Sequence, residues 1–237
     1  MDNYRNYIYS VDVSIVIISV KQMNKKFDVY AINLERRLDR RQNVLDQFKA
    51  LDFCNVKFFK AIEHNKGWIG CALSHLELIK FAKKNNMDYI IVIEDDILIN
   101  ESISSERFNK VLSYLTKHWN KYEIFNGSPS FWIKRNDTNA IKKTKSLLPK
   151  FSLVSDAQKT TFMIYTKKSY DKILDYDPYL TSIAIDEFFA KNFMQLCYRK
   201  YLCYEIKSYS NIQNHLGDLE QYMRDQEKLF QELPEKE

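Results

Sequence analysis

Three consecutive carboxylates, Glu94, Asp95 and Asp96, interrupt the apolar stretch YIIVIEDDILIN of residues 89–100. Adjacent acids repel one another, and a turn alone does not require them. A strand ending here delivers them to the edge of a sheet. In extended backbone, side chains two apart point the same way, so Glu94 and Asp96 can face one ligand. Hard oxygen donors of this kind suit Mn2+ or Mg2+, which keep several waters and complete their shell from substrate phosphates. The plainer reading is a solvated acidic turn. A rival enzymatic reading is the D-x-D of haloacid dehalogenase-type phosphatases. It fails on two counts: Glu94 stands where their nucleophilic Asp belongs, and no Thr follows Asp96.

Three other segments carry residues able to act with these acids. In GWIGCALSHLELI, Gly67 and Gly70 open a helix, and Ser74 and His75 follow within two turns. Small residues at a helix start let ligand oxygens approach backbone N–H groups, although a lone His there is more often packed or capping. In INLERRLDRR a strand ends at Asn33 and Arg36, Arg37, Arg40 and Arg41 crowd behind it. The usual fate of such a run is a solvated helix start. The functional alternative sets Asn33 and an Arg beside a nucleotide. In AIDEFF, Asp186 reads as a helix N-cap, and beside a metal site it becomes a general-base candidate, with Glu187 in reserve.

The elements that must position these residues alternate. Strands are expected at 27–34, 56–62, 88–93, 122–125, 159–166 and 201–206, and helices at 37–50, 67–84, 103–117, 167–176, 185–193 and 218–231. The run at 88–93 is apolar throughout, as in a strand covered on both faces. This alternation predicts an α/β fold with a mostly parallel central sheet flanked by helices. Ligands of such sheets bind outside the carboxyl ends of the strands, where Glu94–Asp96 lie. The stretch VDVSIVIISV near the N-terminus reads as an extra strand rather than a signal segment, since it holds Asp12 and no small-residue cleavage site follows.

Composition sets the bounds. The 237 residues are 45% hydrophobic and 14% aromatic, enough for a sizeable core. A net charge of +5 and a pI of about 8.8 suit a phosphate-bearing ligand but fall short of a nucleic-acid binder. No apolar segment reaches the ~20 residues of a membrane span. Cys54, Cys71, Cys197 and Cys203 form no CxxC pair, which argues against a structural zinc module or a disulfide framework. Reduced thiols and a cytoplasmic location are expected. The N-x-[ST] triplets at Asn100, Asn126 and Asn136 then read as chance matches.

Taken in order, INLERRLDRRQNVLDQF, GWIGCALSH, IIVIEDDILI, TTFMIYTKKSYDKIL and IDEFF resemble glycosyltransferase family 25, which holds lipooligosaccharide and collagen hydroxylysine galactosyltransferases. The resemblance runs from about Tyr30 to about Phe189, with a weaker echo in NIQNHLGDLE. It implies one GT-A type domain over 1–237, with 1–25 an extension and 218–237 a polar helical tail. It implies a UDP-galactose or UDP-glucose donor, a divalent cation (Mn2+ or Mg2+) and inversion at the anomeric carbon. The acceptor would be a glycan, a lipid-linked sugar or the hydroxylysine of a collagen-like protein. By this resemblance Asp96 holds the metal, Glu94 and Asp95 lie near ribose, metal or sugar, and Asn33, Arg36 and Arg40 flank the nucleotide. Gly70, Ser74 and His75 match the glycine and the S-H pair of the donor site, and Asp186 matches a late acidic position. Where the family commonly has a Gln followed by Ser-Asp, Gln213 is followed by Gly217 and Asp218. His215 is a further metal-ligand candidate. The alternative to an enzyme is a domain that binds a sugar nucleotide or glycan without turnover.

Overall fold

The structure, a computed structural model, describes residues 26–131, 141–143, 150–206, 208–210, 215–217 and 219–232. The expected N-terminal strand, Gln213, Asp218, Asn136 and the His215 side chain lie outside the described residues.

In chain order the strands are β1 (Phe27–Asn33), β2 (Cys54–Lys60), β3 (Tyr89–Glu94), β4 (Ile97–Ile99), β5 (Ile124–Asn126), β6 (Ser130–Phe131), β7 (Ile141–Lys143), β8 (Phe151–Val154), β9 (Ala157–Gln158), β10 (Phe162–Thr166), β11 (Gln195–Tyr198), β12 (Cys203–Glu205), β13 (Ser208–Ser210) and β14 (His215–Gly217). The helices are α1 (Leu38–Phe48), α2 (Gly67–Lys84), α3 (Ser105–Lys117), α4 (Tyr170–Leu174), α5 (Pro178–Thr181), α6 (Ile185–Asn192) and α7 (Leu219–Glu232).

Eight strands form one sheet in the order β2-β1-β3-β10-β5-β11-β8-β7. Strands β1, β2, β3, β5, β7 and β11 share one direction, and β8 and β10 oppose it. The apolar run of β3 is covered on both sides. Ile91 and Ile93 join the core built with Val44 and Phe48 of α1 and Phe108, Val111 and Leu112 of α3. Ile90 and Val92 point the other way, into a core with Leu76 and Ile79 of α2, Ile173 of α4 and Phe189 of α6. Strand β10 divides likewise, Phe162 and Ile164 to one face and Met163 and Tyr165 to the other. The result is a three-layer α/β arrangement with helices on both faces of a largely parallel sheet, as the alternating sequence predicts.

The C-terminal helix is less of a free tail than its polarity suggests. Met223 and Phe230 of α7 are fully buried against Tyr201, Tyr204 and Val154, and the Glu227 carboxylate accepts the backbone N–H of Tyr201 at 3.2 Å. Among the described residues no helix is long and apolar enough to cross a membrane, and all four cysteines are free thiols. Asn100 and Asn126 are buried, with their side-chain amides donating to backbone carbonyls.

Candidate active site

A cleft of about 130 Å3 opens beyond the carboxyl ends of β1 and β3, lined by residues that include Arg36, Arg40, Gly70, Ser74 and all three of Glu94, Asp95 and Asp96. Strand β3 ends at Glu94, the next two residues turn, and β4 leaves the main sheet to pair with β12. The three acids therefore sit at a corner of the chain, each in a different setting.

Asp95 is buried and fully engaged. Its carboxylate accepts Nδ2 of Asn33 at 2.8 Å and Nη1 of Arg40 at 2.8 Å. Asn33 also donates to the Arg37 carbonyl at 3.1 Å, so its amide braces the turn and does not line the cleft. Arg40 is buried, bridges Asp95 and Asp96 (the latter at 3.2 Å), and still forms part of the cleft wall. Burial works against its charge, and the surrounding Asp96 and Asp95 carboxylates more than restore it, so its pKa rises. Arg36 is exposed and ion-paired with Glu63 at the cleft rim.

Asp96 is the unsatisfied acid. Its Oδ1 is buried without a hydrogen-bond partner. Burial, then the nearby Glu205 and Glu94 carboxylates, push it up to about 8, against the pull of Arg40. An orphaned, hard oxygen among like charges fits a divalent cation, as Mg2+ and Mn2+ sites commonly use one or two carboxylates. Glu205 was not singled out from the sequence. The pairing of β12 with β4 sets it opposite Ile97, next to Asp96, and the Ile206 N–H donates to the Asp96 carbonyl at 2.8 Å. The available signal was modest: an acid closing a second apolar run, YLCYEI.

The segment Lys159-Thr160-Thr161 ties these acids together. Lys159 Nζ donates to Glu205 at 3.1 Å, and Thr161 Oγ1 donates to the other Glu205 oxygen at 2.7 Å. Thr160 Oγ1 donates to Glu94, and the Lys159 N–H donates to Asp186 Oδ2 at 3.3 Å. Lys159 holds a φ of 73°, the left-handed region that a β-carbon disfavours. Such outliers persist where surrounding bonds over-determine them, and here both its N–H and its ammonium are committed. Burial lowers the pKa of Lys159, and Glu205, Glu94 and Asp96 raise it further than burial lowers it. The expected strand at 159–166 accordingly starts only at Phe162.

Glu94 is opposed by burial, yet its pKa falls below the usual range through His75, Thr160 and Lys159. His75 is fully buried on α2, and its Nδ1 pairs with the Tyr165 hydroxyl at 2.9 Å. Ser74 reads as a brace: its hydroxyl donates to the Gly70 carbonyl at 2.7 Å and accepts the Ile62 N–H at 2.8 Å. Gly70 lets that loop approach. A β-carbon there would stand 2.5 Å from the Ile62 carbonyl oxygen and 3.3 Å from the His64 nitrogen. Gly70→Ala should therefore push the 61–64 wall off α2 and cost ~1–3 kcal/mol, the range for overpacking. Thermal unfolding is the check, and an unchanged midpoint would mean that the loop yields freely.

Asp186 is not the N-cap expected from AIDEFF. Ala184 occupies that position, with extended backbone and no side-chain cap. Asp186 is the second helical residue, where a carboxylate complements the free N–H groups of the helix start. Its Oδ1 accepts the Glu187 N–H at 2.9 Å. Burial raises its pKa despite these bonds. Glu187 is half-exposed and pairs with Lys191 at 3.7 Å. Neither lines the cleft directly, although Asp186 lies close enough to the cleft-lining Cys71 for its charge to add to the burial that pushes that thiol's pKa up.

Residues 65–208, more than half of the chain, match the model of glycosyltransferase family 25, described as an LPS biosynthesis protein. The match spans α2, the three acids, Asp186 and Glu205, and stops short of Asn33, Arg36, Arg40 and His215. No curated protein matches the chain by sequence. Among solved structures, a glycosyltransferase involved in the glycosylation of the major capsid of PBCV-1 is similar at 8% identity and a TM-score of 0.42, covering 70% of this chain and 76% of that one. An apo UDP-glucose pyrophosphorylase is similar at 12% identity and 0.39, covering 81% and 80%. A mannose-1-phosphate geranyltransferase from Thermus thermophilus is similar at 9% and 0.35, covering 73% and 69%. All three TM-scores fall below 0.5, so the family match alone assigns the chain.

Proposed function

The chain belongs to glycosyltransferase family 25, and from that premise we propose that it moves galactose or glucose from a UDP-sugar to an acceptor hydroxyl with inversion, aided by Mn2+ or Mg2+. The observation that carries the cation is Asp96, whose buried Oδ1 has no partner at the wall of the cleft. Asp96 would hold the ion, with Glu94 and His215 as further candidate ligands. When bound, it supplies a Lewis acid that offsets charge developing on the departing diphosphate.

The protein's own part is positional. Arg40 and Asn33 hold Asp95 and with it the corner that presents Asp96. Arg36 at the rim is placed to meet nucleotide phosphate once Glu63 gives way. Gly70 and Ser74 seat the loop that forms the opposite wall. Asp186, its pKa raised by burial, takes the proton from the acceptor hydroxyl as that oxygen attacks the face opposite the diphosphate. One in-line displacement suffices, and no covalent enzyme intermediate forms.

The test is release of UDP from UDP-galactose and from UDP-glucose, each with Mn2+, with Mg2+ and with chelator. Metal-dependent release from at least one donor is expected. Donor binding without release under any condition, acceptors included, would favour a non-catalytic sugar-nucleotide-binding domain instead.

A further inference from the structure

A thiol, an imidazole and a carboxylate meet at the inner end of the cleft. Cys71 and His75 stand four residues apart on α2 and so project from one face. Glu94 arrives from the end of β3. Its Oε1 lies 3.9 Å from Cys71 Sγ and 3.6 Å from His75 Nε2, and the three donor atoms all lie within 4.8 Å of one another. Ligand bonds of ~2.0–2.3 Å in a tetrahedral zinc site place donor atoms roughly 3.3–3.8 Å apart. A contraction of about 1 Å or less would close this triangle on an ion.

The second observation is His75 itself. It has no solvent exposure, its Nε2 makes no hydrogen bond, and that atom faces Glu94. Its other nitrogen is paired with the Tyr165 hydroxyl, which is also fully buried. An ion bound here takes the tautomer with the ring proton on Nδ1, directed at the Tyr165 oxygen, which frees the Nε2 lone pair for the metal. A ligating histidine anchored through its far nitrogen is the usual outer arrangement of a metal site.

We propose that Cys71, His75 and Glu94 form a second cation site, for a borderline transition metal such as Zn2+, which shares the Glu94 carboxylate with the oxygen site at Asp96 but draws a sulfur and a nitrogen donor from α2. Sulfur and nitrogen donors select Zn2+ over Mn2+ and Mg2+. Cys71 and Glu94 both line the cleft, so a fourth position opens toward it. On binding, the Cys71 thiol releases its proton to solvent and the thiolate sulfur donates to the ion. His75 binds as the neutral ring and Glu94 as the carboxylate.

The probe is Co2+ alone, added to the full chain after chelator treatment and dialysis, with no nucleotide present. One equivalent should give tetrahedral visible bands and a thiolate-to-cobalt charge-transfer band, both displaced by Zn2+. Cys71→Ser should abolish the charge-transfer band. Cys54→Ser and Asp96→Asn should keep it. Tyr165→Phe, which leaves every thiol and ligand in place, should weaken Co2+ binding ~10–100-fold, the range for loss of an outer partner. A wild-type protein without the thiolate band, or a band that survives in Cys71→Ser, overturns the proposal. Unchanged affinity in Tyr165→Phe together with His75→Gln overturns it as well. The metal is the only probe, so failure here leaves the glycosyl-transfer reading intact.

Discussion

Asp186→Asn is expected to lower kcat for sugar transfer by ~10²–10⁴-fold, the usual contribution of one general base, while UDP affinity stays within a few-fold of wild type. The two carboxylate oxygens of Asp186 accept N–H groups from Lys159 and Glu187. Asn keeps the shape but has one acceptor oxygen, so one of those N–H groups loses its partner at a cost of ~1–3 kcal/mol. Stability therefore falls modestly and catalysis falls far more. Steady-state transfer beside thermal unfolding separates the two. A variant that melts lower yet turns over normally would reduce Asp186 to an anchor for the Lys159 backbone and shift the base to Glu187 or another carboxylate.

Asp96→Asn should do two opposite things. In the presence of Mn2+ it should remove the gain in UDP affinity that the metal confers, read by calorimetry with and without the ion. In metal-free protein it should stabilise. Asp96 is raised to about 8 in the folded chain from 3.8. Between those values the folded form retains a proton that the unfolded form has lost, so stability decreases as pH rises from about 4 to about 8. Each unit of difference is worth ~1.4 kcal/mol, and partial exposure trims the total to a few kcal/mol. Asn carries no such charge. The melting difference between variant and wild type should thus be small at pH 5 and favour the variant at pH 8 in chelator. Equal pH dependence of the two proteins would show that neither burial nor the Glu205 and Glu94 carboxylates raise the pKa of Asp96.

How far the sequence reveals this molecule depends on whether a feature is local. Helix α2 was legible to the residue, because Gly67 and the two lysines at its end mark its limits. Its buried face, carried by Ala72, Leu76 and Ile79, is set by the sheet and helices packed against it rather than by the helix's own limits. The apolar run before Glu94 gave β3, and its burial on both faces, directly. Strand β10 was visible as a strand but not as an antiparallel one, since direction depends on how the connection returns. Short β4, β8 and β11 carry too few residues for a pattern. At the site, the acids at 94–96 stood out, whereas Glu205 and Lys159 reach them only through the β4–β12 pairing and the left-handed backbone at Lys159. Asp186 looked like a cap because acids favour helix starts, but both the cap position and the second helical position satisfy that preference.

Strand β10 has a consequence for how the chain comes off the ribosome. It lies in the middle of the sheet between β3 and β5, yet it is encoded some 70 residues after β3. Until Phe162–Thr166 emerge, β1, β2 and β3 can assemble, but the free side of β3 exposes the N–H and C=O groups of an apolar strand. An unpaired edge of that composition recruits other strands, and late, non-local pairing prolongs the interval in which it can do so. Biosynthesis of this chain therefore passes through a sticky half-sheet whose natural partner has yet to be translated. The strand that joins the two halves of the sheet thus also covers the exposed edge of β3.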